Sequence, residues 1–596
     1  MKKYIALGCA IVLTIQFTGC DSIQKTIQEK KAIQEQKERE KNAVPEEEQA
    51  AFKEFTKELF KTEVQSDGIT YNYTLNHPEN YGITDYKQSL GDFGVDATKE
   101  KMAFAENVNK KLDNFVYSAL TKEQQITYDA LRSCYQVADD DEDYILYAEV
   151  LGSTTGIQAE LPILFSEYNI DDKTDLDNYL DLLLCVEDYF SQIEKFEQQK
   201  SDAGLFMPDN NVDGIVSQCE DFIENPEENL LITIFSSKIK EYDWLTDAEK
   251  KKYEKKNKEE VLTSVIPAYQ GLIDTLKRLK GTGTYEGGIG NLPNGKTYYE
   301  KLAKNTTGSD KSIKEMKQAL ASTMNIAISE VSKLSAANSK LSDEFYNLKF
   351  SLTDPNEILD YLTEAVKDDF PALEKVNYTV KYVDKSLENH VSPAFYLSPQ
   401  LDNFKNNSIY INGASNTDMS KIFPTLAHEG YPGHLLQTVY EKQHNSDPIR
   451  SILNFGGYSE GWATYCENYS YNIAGLSKDL GKFAEFYTIF DLCLYAQIDI
   501  GVNYDCWSKN DLAKYLKGFG IEDEDTVDKI FNIVTDDPAN YLQYVIGYIE
   551  FIELKKQAKE ILGKDYTPLK FHTYVLDVGE APFSSLKEHM KEWIDN

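Results

Sequence analysis

Residues 425–437 read Thr-Leu-Ala-His-Glu-Gly-Tyr-Pro-Gly-His-Leu-Leu-Gln, and this stretch sets the strongest condition on how the chain can fold. His428 followed directly by Glu429 has the form of a metal-binding helix in which the imidazole is a ligand and the neighbouring carboxylate a base. The usual form closes with a second His four residues on, because four steps of about 100° return to nearly the same helix face. Here the second His, His434, comes six residues after His428. Six such steps leave it roughly 120° away round the helix, so a straight helix could not aim both rings at one ion. Pro432 has no N–H for the carbonyl of His428, and Gly430 and Gly433 accept backbone angles that other residues resist. A bulge or break can therefore take up the two extra residues and bring His434 back beside His428. The same residues also suit a plain helix end carrying surface histidines.

The rest of such a site should come from a carboxylate on another helix. Residues 456–467, Gly-Gly-Tyr-Ser-Glu-Gly-Trp-Ala-Thr-Tyr-Cys-Glu, offer Glu460 and Glu467, which are seven apart and share a helix face. Either could ligate, and either could be an ordinary solvent-facing acid.

Together, His-Glu-Gly-Tyr-Pro-Gly-His-Leu-Leu-Gln and Ser-Glu-Gly-Trp-Ala-x-Tyr-x-Glu resemble the bacterial family called domain of unknown function 885, regarded as zincin-like metallopeptidases. They are more distantly similar to the carboxypeptidase Taq family, whose His-Glu-x-Gly-His lacks the two extra residues. Further stretches resemble the first family: Leu161-Pro162-Ile163-Leu164 with Glu167-Tyr168, Gly204-Leu205-Phe206-Met207, Tyr544-Val545-Ile546-Gly547-Tyr548 and Phe571-His572. The resemblance covers most of the chain after about residue 65. It implies His428, His434 and Glu460 as zinc ligands, Glu429 as general base, and a large, mainly α, zincin-like fold with a small β-sheet beside the active-site helix. It also marks the downstream block from which Tyr544, Tyr548 and His572 are drawn as candidate donors to a developing oxyanion, although a core role is the commoner fate of a Tyr. One departure stands out. Where many members have Asp-x-Gly-x-His, this chain has Asp499-Ile500-Gly501-Val502-Asn503, which puts any substrate-binding role of that His in doubt.

Lys2-Lys3, a largely apolar run from Tyr4 to Phe17, and Phe17-Thr18-Gly19-Cys20 read as a lipoprotein export signal over residues 1–19, cleaved before Cys20. The run is shorter than the roughly 20 apolar residues a membrane span needs, so anchoring would rest on lipid at Cys20. Residues 20–50 are rich in Gln, Lys and Glu and read as a tether, with a helix starting at Pro45-Glu46-Glu47-Glu48. Residues 51–375 form an N-terminal helical region and 376–596 the catalytic region, with one continuous cleft expected.

Within the first region Thr121, Ser312 and Asp354 each have Glu or Gln three residues on, marking helix starts. Leu176, Tyr179, Leu180, Leu183, Tyr189, Phe190, Ile193 and Phe196 recur at helical spacing, with Gly204 as a stop. The glycine-rich stretch from Gly281 to Gly295 lacks the spacing of a phosphate loop and reads as a long connection. Residues 376–383, 394–397 and 408–411 give the best strand signals, just ahead of the His-Glu motif, where a peptidase would need an edge strand or where a hairpin lies by chance.

The formal charge of −37 repels phosphate backbones and argues against a nucleic-acid partner. Beyond the signal and Cys20, the cysteines are Cys134, Cys185, Cys219, Cys466, Cys493 and Cys506, none at metal-ligand spacing. The four arginines, Arg39, Arg132, Arg278 and Arg450, are few for a carboxypeptidase that must hold a terminal carboxylate, but Lys can serve. The expected activity is zinc-dependent hydrolysis of extracytoplasmic peptides. Its alternatives are a non-catalytic peptide-binding lipoprotein and a zinc amidase acting on cell-wall peptides. Nothing in the sequence indicates an oligomeric state or an organic cofactor.

The anchor has a direct test. Cys20→Ala is expected to move the protein out of the membrane fraction or leave the signal uncleaved, as fractionation and mass spectrometry would report. A processed Ala variant that stays with the membrane would rule out lipid at Cys20.

Overall fold

The computed structural model describes residues 37–593 apart from 139–141, 154–155, 384, 386–387, 389–391, 415–417 and 446. The export signal and Cys20 lie outside the described residues. Helices make up most of the chain, and the capping chemistry marks where they begin. Pro45–Val64 opens with Pro in its first turn and three acids at the positive end of its dipole, inside the stretch assigned to a tether. Gln124 and Thr121 exchange backbone and side-chain hydrogen bonds at the start of Lys122–Ala138. Ser312 and Glu315 form a full capping box, and the Asp354 carboxylate accepts from the N–H groups of Asn356 and Glu357. The aromatic stripe becomes the buried face of Lys173–Asp202, a helix of 30 residues, with Gly204 in the left-handed region just beyond it. The glycine-rich stretch connects the helix Ile266–Leu279 to the helix Gly295–Thr307.

The expected strands appear as β1 (Asn377–Tyr382), β2 (Ala394–Leu397) and β3 (Asn406–Ile411). The order is β1-β3-β2, with β1 parallel and β2 antiparallel to the central β3, so the sheet is more than a chance hairpin. Its alternation serves two cores. Ala394, Ile409, Ile411, Tyr378, Val380 and Tyr396 face the core that holds the His-Glu helix, while Phe395, Leu397 and Tyr410 face the core around Lys173–Asp202. The Phe395 and Tyr410 rings stack at 4.9 Å on that second face.

A third core joins Tyr299 and Leu320 to Ile489 and Ile546. The first core likewise joins Phe52 and Leu359 to Leu426 and Phe571. Side chains from both sides of residue 375 thus share all three cores, and the regions 51–375 and 376–596 are not separately cored. All six internal cysteines are free. Among the described residues no helix is long and apolar enough to cross a membrane.

The helices Gly456–Ser470 and Asn540–Leu562 cross through glycine. A Cβ on Gly461 would lie 2.5 Å from the Gly547 backbone, and one on Gly547 would lie 2.1 Å from the Gly457 carbonyl. Backbone meets backbone there, which sets how far the two helices stand apart. Gly461→Ala is expected to cost about 3 kcal/mol, the upper end for overpacking, in a denaturant titration. A loss under about 0.5 kcal/mol, the size of an ordinary surface change, would mean the crossing can open.

Candidate metal centre

The helix Phe423–Glu429 stops at Gly430, and a second helix, His434–His444, starts four residues later. Between them the Tyr431–Pro432 peptide is cis. The Gly433 N–H donates to the carbonyl of Ala427, six residues back, at 3.0 Å, and Leu436 N–H to that of Gly430 at 3.4 Å. The two extra residues are therefore looped out. A Cβ on Gly433 would sit 1.8 Å from the His428 carbonyl oxygen, so that position requires glycine, and one on Gly430 would crowd the Leu359 side chain at 2.4 Å and the Leu426 carbonyl at 2.9 Å. The Pro432 carbonyl, which points out of the loop, accepts from Trp462 Nε1 at 3.0 Å and Cys466 Sγ at 3.3 Å.

The loop brings the His428 and His434 rings to 4.9 Å between centroids. Glu460, from the helix that holds Trp462, reaches between them: its Oε2 lies 3.4 Å from His428 Nε2 and 3.6 Å from His434 Nε2. One donor atom from each of the three side chains lies within 4.8 Å of the others. Donors bound about 2.1 Å from a tetrahedral ion stand about 3.4 Å apart, so this set fits zinc. Glu467, two turns along the same face, touches His428 from behind, Oε2 to Nδ1 at 3.3 Å. Such a carboxylate orients the ring so that Nε2 faces the centre. The two acids that the sequence left interchangeable thus occupy different places.

The imidazoles and carboxylates of the set act strongly on one another. Burial lowers the His428 pKa, but hydrogen bonds to Glu460 and Glu467 overcome this and raise it well above the ordinary value. Burial would raise the Glu460 carboxyl, yet the two imidazoles hold it far below the usual range. Glu429 is pushed up by burial against the pull of His428 and His434. Its Oε2 accepts the Tyr396 N–H of β2 at 2.9 Å. Tyr544, on Asn540–Leu562, keeps its proton because burial and the negative charges of Glu460 and Glu429 both raise its pKa. It stands within electrostatic reach of the centre as a hydrogen-bond donor.

Residues 78–590 match the family described as bacterial protein of unknown function, DUF885. The chain belongs to DUF885. No curated protein matches it significantly. A solved structure of a provisionally named lipoprotein from Colwellia psychrerythraea is similar to it with a TM-score of 0.81 at 18% identity, covering 93% of this chain and 99% of that one. A provisionally named lipoprotein of unknown function from Shewanella oneidensis gives 0.60 at 16% identity, covering 92% and 100%. These show the fold alone. A provisionally named oligoendopeptidase F from Bacillus anthracis str. Ames, at 11% identity over 86% and 98%, reaches only 0.29, too low to bear on the fold.

Not every residue drawn from the DUF885 resemblance reaches the centre. His572 does not, and its assignment as a catalytic donor is corrected here. It is 0% exposed, with Nε2 on the Tyr465 hydroxyl at 2.8 Å and Nδ1 on the Asp369 carbonyl at 2.6 Å. Its ring stacks on Phe370 at 3.9 Å, and burial lowers its pKa to about 3. With both nitrogens engaged and no solvent face, it cannot meet a substrate. Tyr548 is half-buried and packs against two cores, its phenol raised chiefly by desolvation and then by Glu485 and Cys493. Asn503, at the departure from the family pattern, is also 0% exposed; its amide donates to Asp499 at 3.0 Å and the Val534 carbonyl at 2.7 Å, and its oxygen accepts from Ile289 N–H. That position is structural in this chain. The site group that the sequence reading missed is the Tyr396 N–H, a main-chain donor that no side-chain motif records.

The two glutamates should separate in metal binding. Glu460→Ala is expected to empty the centre, while Glu467→Ala should weaken zinc binding by about 10–100-fold and leave the ligand set intact. Zinc content and competition with a chromogenic chelator would report both. Equal loss from the two variants would contradict their different placement.

Proposed function

We propose that this protein is an extracytoplasmic zinc peptidase, lipid-anchored through Cys20, that hydrolyses peptide bonds as an oligopeptidase or carboxypeptidase. The observation that carries this reading is the convergence of His428, His434 and Glu460 with Glu429 at their edge. A zinc ion held by those three side chains supplies Lewis acidity toward a water and a carbonyl. Glu429 is not one of the converging donors, and its use is that of a base. It takes the proton of the attacking water and passes it to the departing amine. Tyr544 donates to the carbonyl oxygen as negative charge builds there.

Two further features support a peptide substrate. β2 is an edge strand of the sheet and lies beside Glu429, the kind of strand on which an extended chain can pair. The net charge of −37 disfavours nucleic acid. A peptide-binding lipoprotein would have no use for a buried carboxylate beside the ligands, where burial alone disfavours its charge. The apolar run before Cys20 is too short to span a bilayer, in keeping with a lipid anchor.

Zinc content measured alongside cleavage of a mixed peptide library tests the reading, and Glu429→Gln sharpens it. That variant keeps size and most hydrogen bonding, so it should retain zinc and fold while losing about 10²–10⁴-fold in turnover. Wild-type turnover by Glu429→Gln would refute the mechanism, and zinc without cleavage by the wild-type protein would favour a binding role.

A further inference from the structure

A base beside a metal must present one oxygen to the water and keep it there. Among the described residues, the one hydrogen bond to the Glu429 carboxylate comes from the Tyr396 N–H, to Oε2 at 2.9 Å. Tyr396 pairs with Ile409 in the sheet, yet its N–H points away from β3, to the side where Glu429 lies. That donor is therefore not part of the ladder. The strand that carries it is tied to β3, where the Tyr396 hydroxyl donates to Asn407 at 2.6 Å, and a local bond from Ser392 to the Ala394 carbonyl at 2.8 Å closes the turn that leads into it. Asn407 in turn donates to the Asn377 carbonyl of β1 at 3.3 Å and the Phe404 carbonyl at 3.1 Å.

We infer that the backbone N–H of Tyr396 is the group that aims the general base, an inference that rests on the peptidase reading above. It takes Oε2 of Glu429 and leaves Oε1 to face the water. Without it the carboxylate of Glu429 turns about its own side-chain bonds, and misplacement by about 1 Å can cost about 10²-fold in rate. Tyr396 is thus a positioning residue that acts through its main chain, and the edge strand placed to receive substrate also sets the direction of the base. An extended peptide laid on β2 finds the N–H at 396 already engaged, so its main-chain pairing has to use the other outward groups of the strand.

The test removes that N–H and little else. Proline is tolerated where an edge-strand N–H faces outward, and Phe395, which would precede it, is already extended. Tyr396→Pro is compared with Tyr396→Ala, which loses the same ring and hydroxyl but keeps the N–H, both in the full zinc-loaded protein. Relative to Tyr396→Ala, Tyr396→Pro is expected to lower kcat by about 10–100-fold, with KM within about threefold and zinc content unchanged. Where the proline variant does not fold, replacing the 395–396 amide by an ester deletes the N–H alone and should give the same loss. In a Glu429→Gln background the ester should cost nothing further, because the group it aims is gone. Equal kcat for Tyr396→Pro and Tyr396→Ala, or an ester effect that survives Glu429→Gln, overturns the inference while leaving the peptidase reading in place. Full turnover by Glu429→Gln itself is the separate result that removes the reading on which it rests.

Discussion

The hydrogen bonds to the Pro432 carbonyl are the contact on which the centre depends. A helix interrupted by two extra residues can close in several ways, and only one puts the second imidazole beside the first. Trp462 Nε1 and Cys466 Sγ, one turn apart on the next helix, both point at that carbonyl and hold the loop in the closed form. The same helix sends Glu460 between the imidazoles and Glu467 behind one of them. Loop closure and ligand placement are therefore settled by one helix.

That helix is itself held by groups distant in sequence. Its glycine face meets Gly547 with no side chain between, which fixes the approach of the helix bearing Tyr544. On another side the Trp462 ring meets Phe370 and His572 at 5.9 and 5.8 Å, both nearly edge-on. Phe370 and the carbonyl of Asp369 come from upstream of the sheet, and His572 from near the end of the chain. Moving either segment would tilt Trp462, and with it the Pro432 carbonyl, so three distant stretches converge on the loop without touching the ligands.

What could be read from the sequence divides along a physical line. The His428 and His434 spacing, with Gly430, Pro432 and Gly433 between, allowed a break that joins the two rings, which a straight helix could not do, and left open a plain helix end. Caps at Ser312 and Asp354, and the stripe from Leu176 to Phe196, were legible because they are local. Glu460 and Glu467 were not separable, since seven residues bring both to one face and only the position of the partner helix decides which reaches the centre. His572 was misassigned for a related reason: a lone His carries no sign of whether it faces a cleft or a stack of rings. Its environment comes from Phe370 and Tyr465, more than a hundred positions away in the chain.

Asn503 works in the framework of this chain and not at the candidate centre. Its amide bridges Asp499 and the Val534 carbonyl in the third core, and Tyr299 donates to the same Asp499 oxygen at 2.7 Å. Burial pushes the Asp499 carboxyl up to about 7 against those hydrogen bonds. An amide suits that place because it presents a donor to the carboxylate and an acceptor to Ile289 N–H at once, without adding a charge. A neutral imidazole has one donor and one acceptor on a rigid ring, and its donor could serve Asp499 or the Val534 carbonyl but not both. The amide therefore binds three elements together, the helix Lys478–Asn503, the end of Glu524–Asp536 and the glycine-rich connection, beneath the helix that carries Tyr544. The same Asp499 oxygen that takes the Asn503 amide also accepts the Ala539 N–H at 3.1 Å, at the N-terminal end of Asn540–Leu562, and through Asp499 the framework reaches the helix that carries Tyr544.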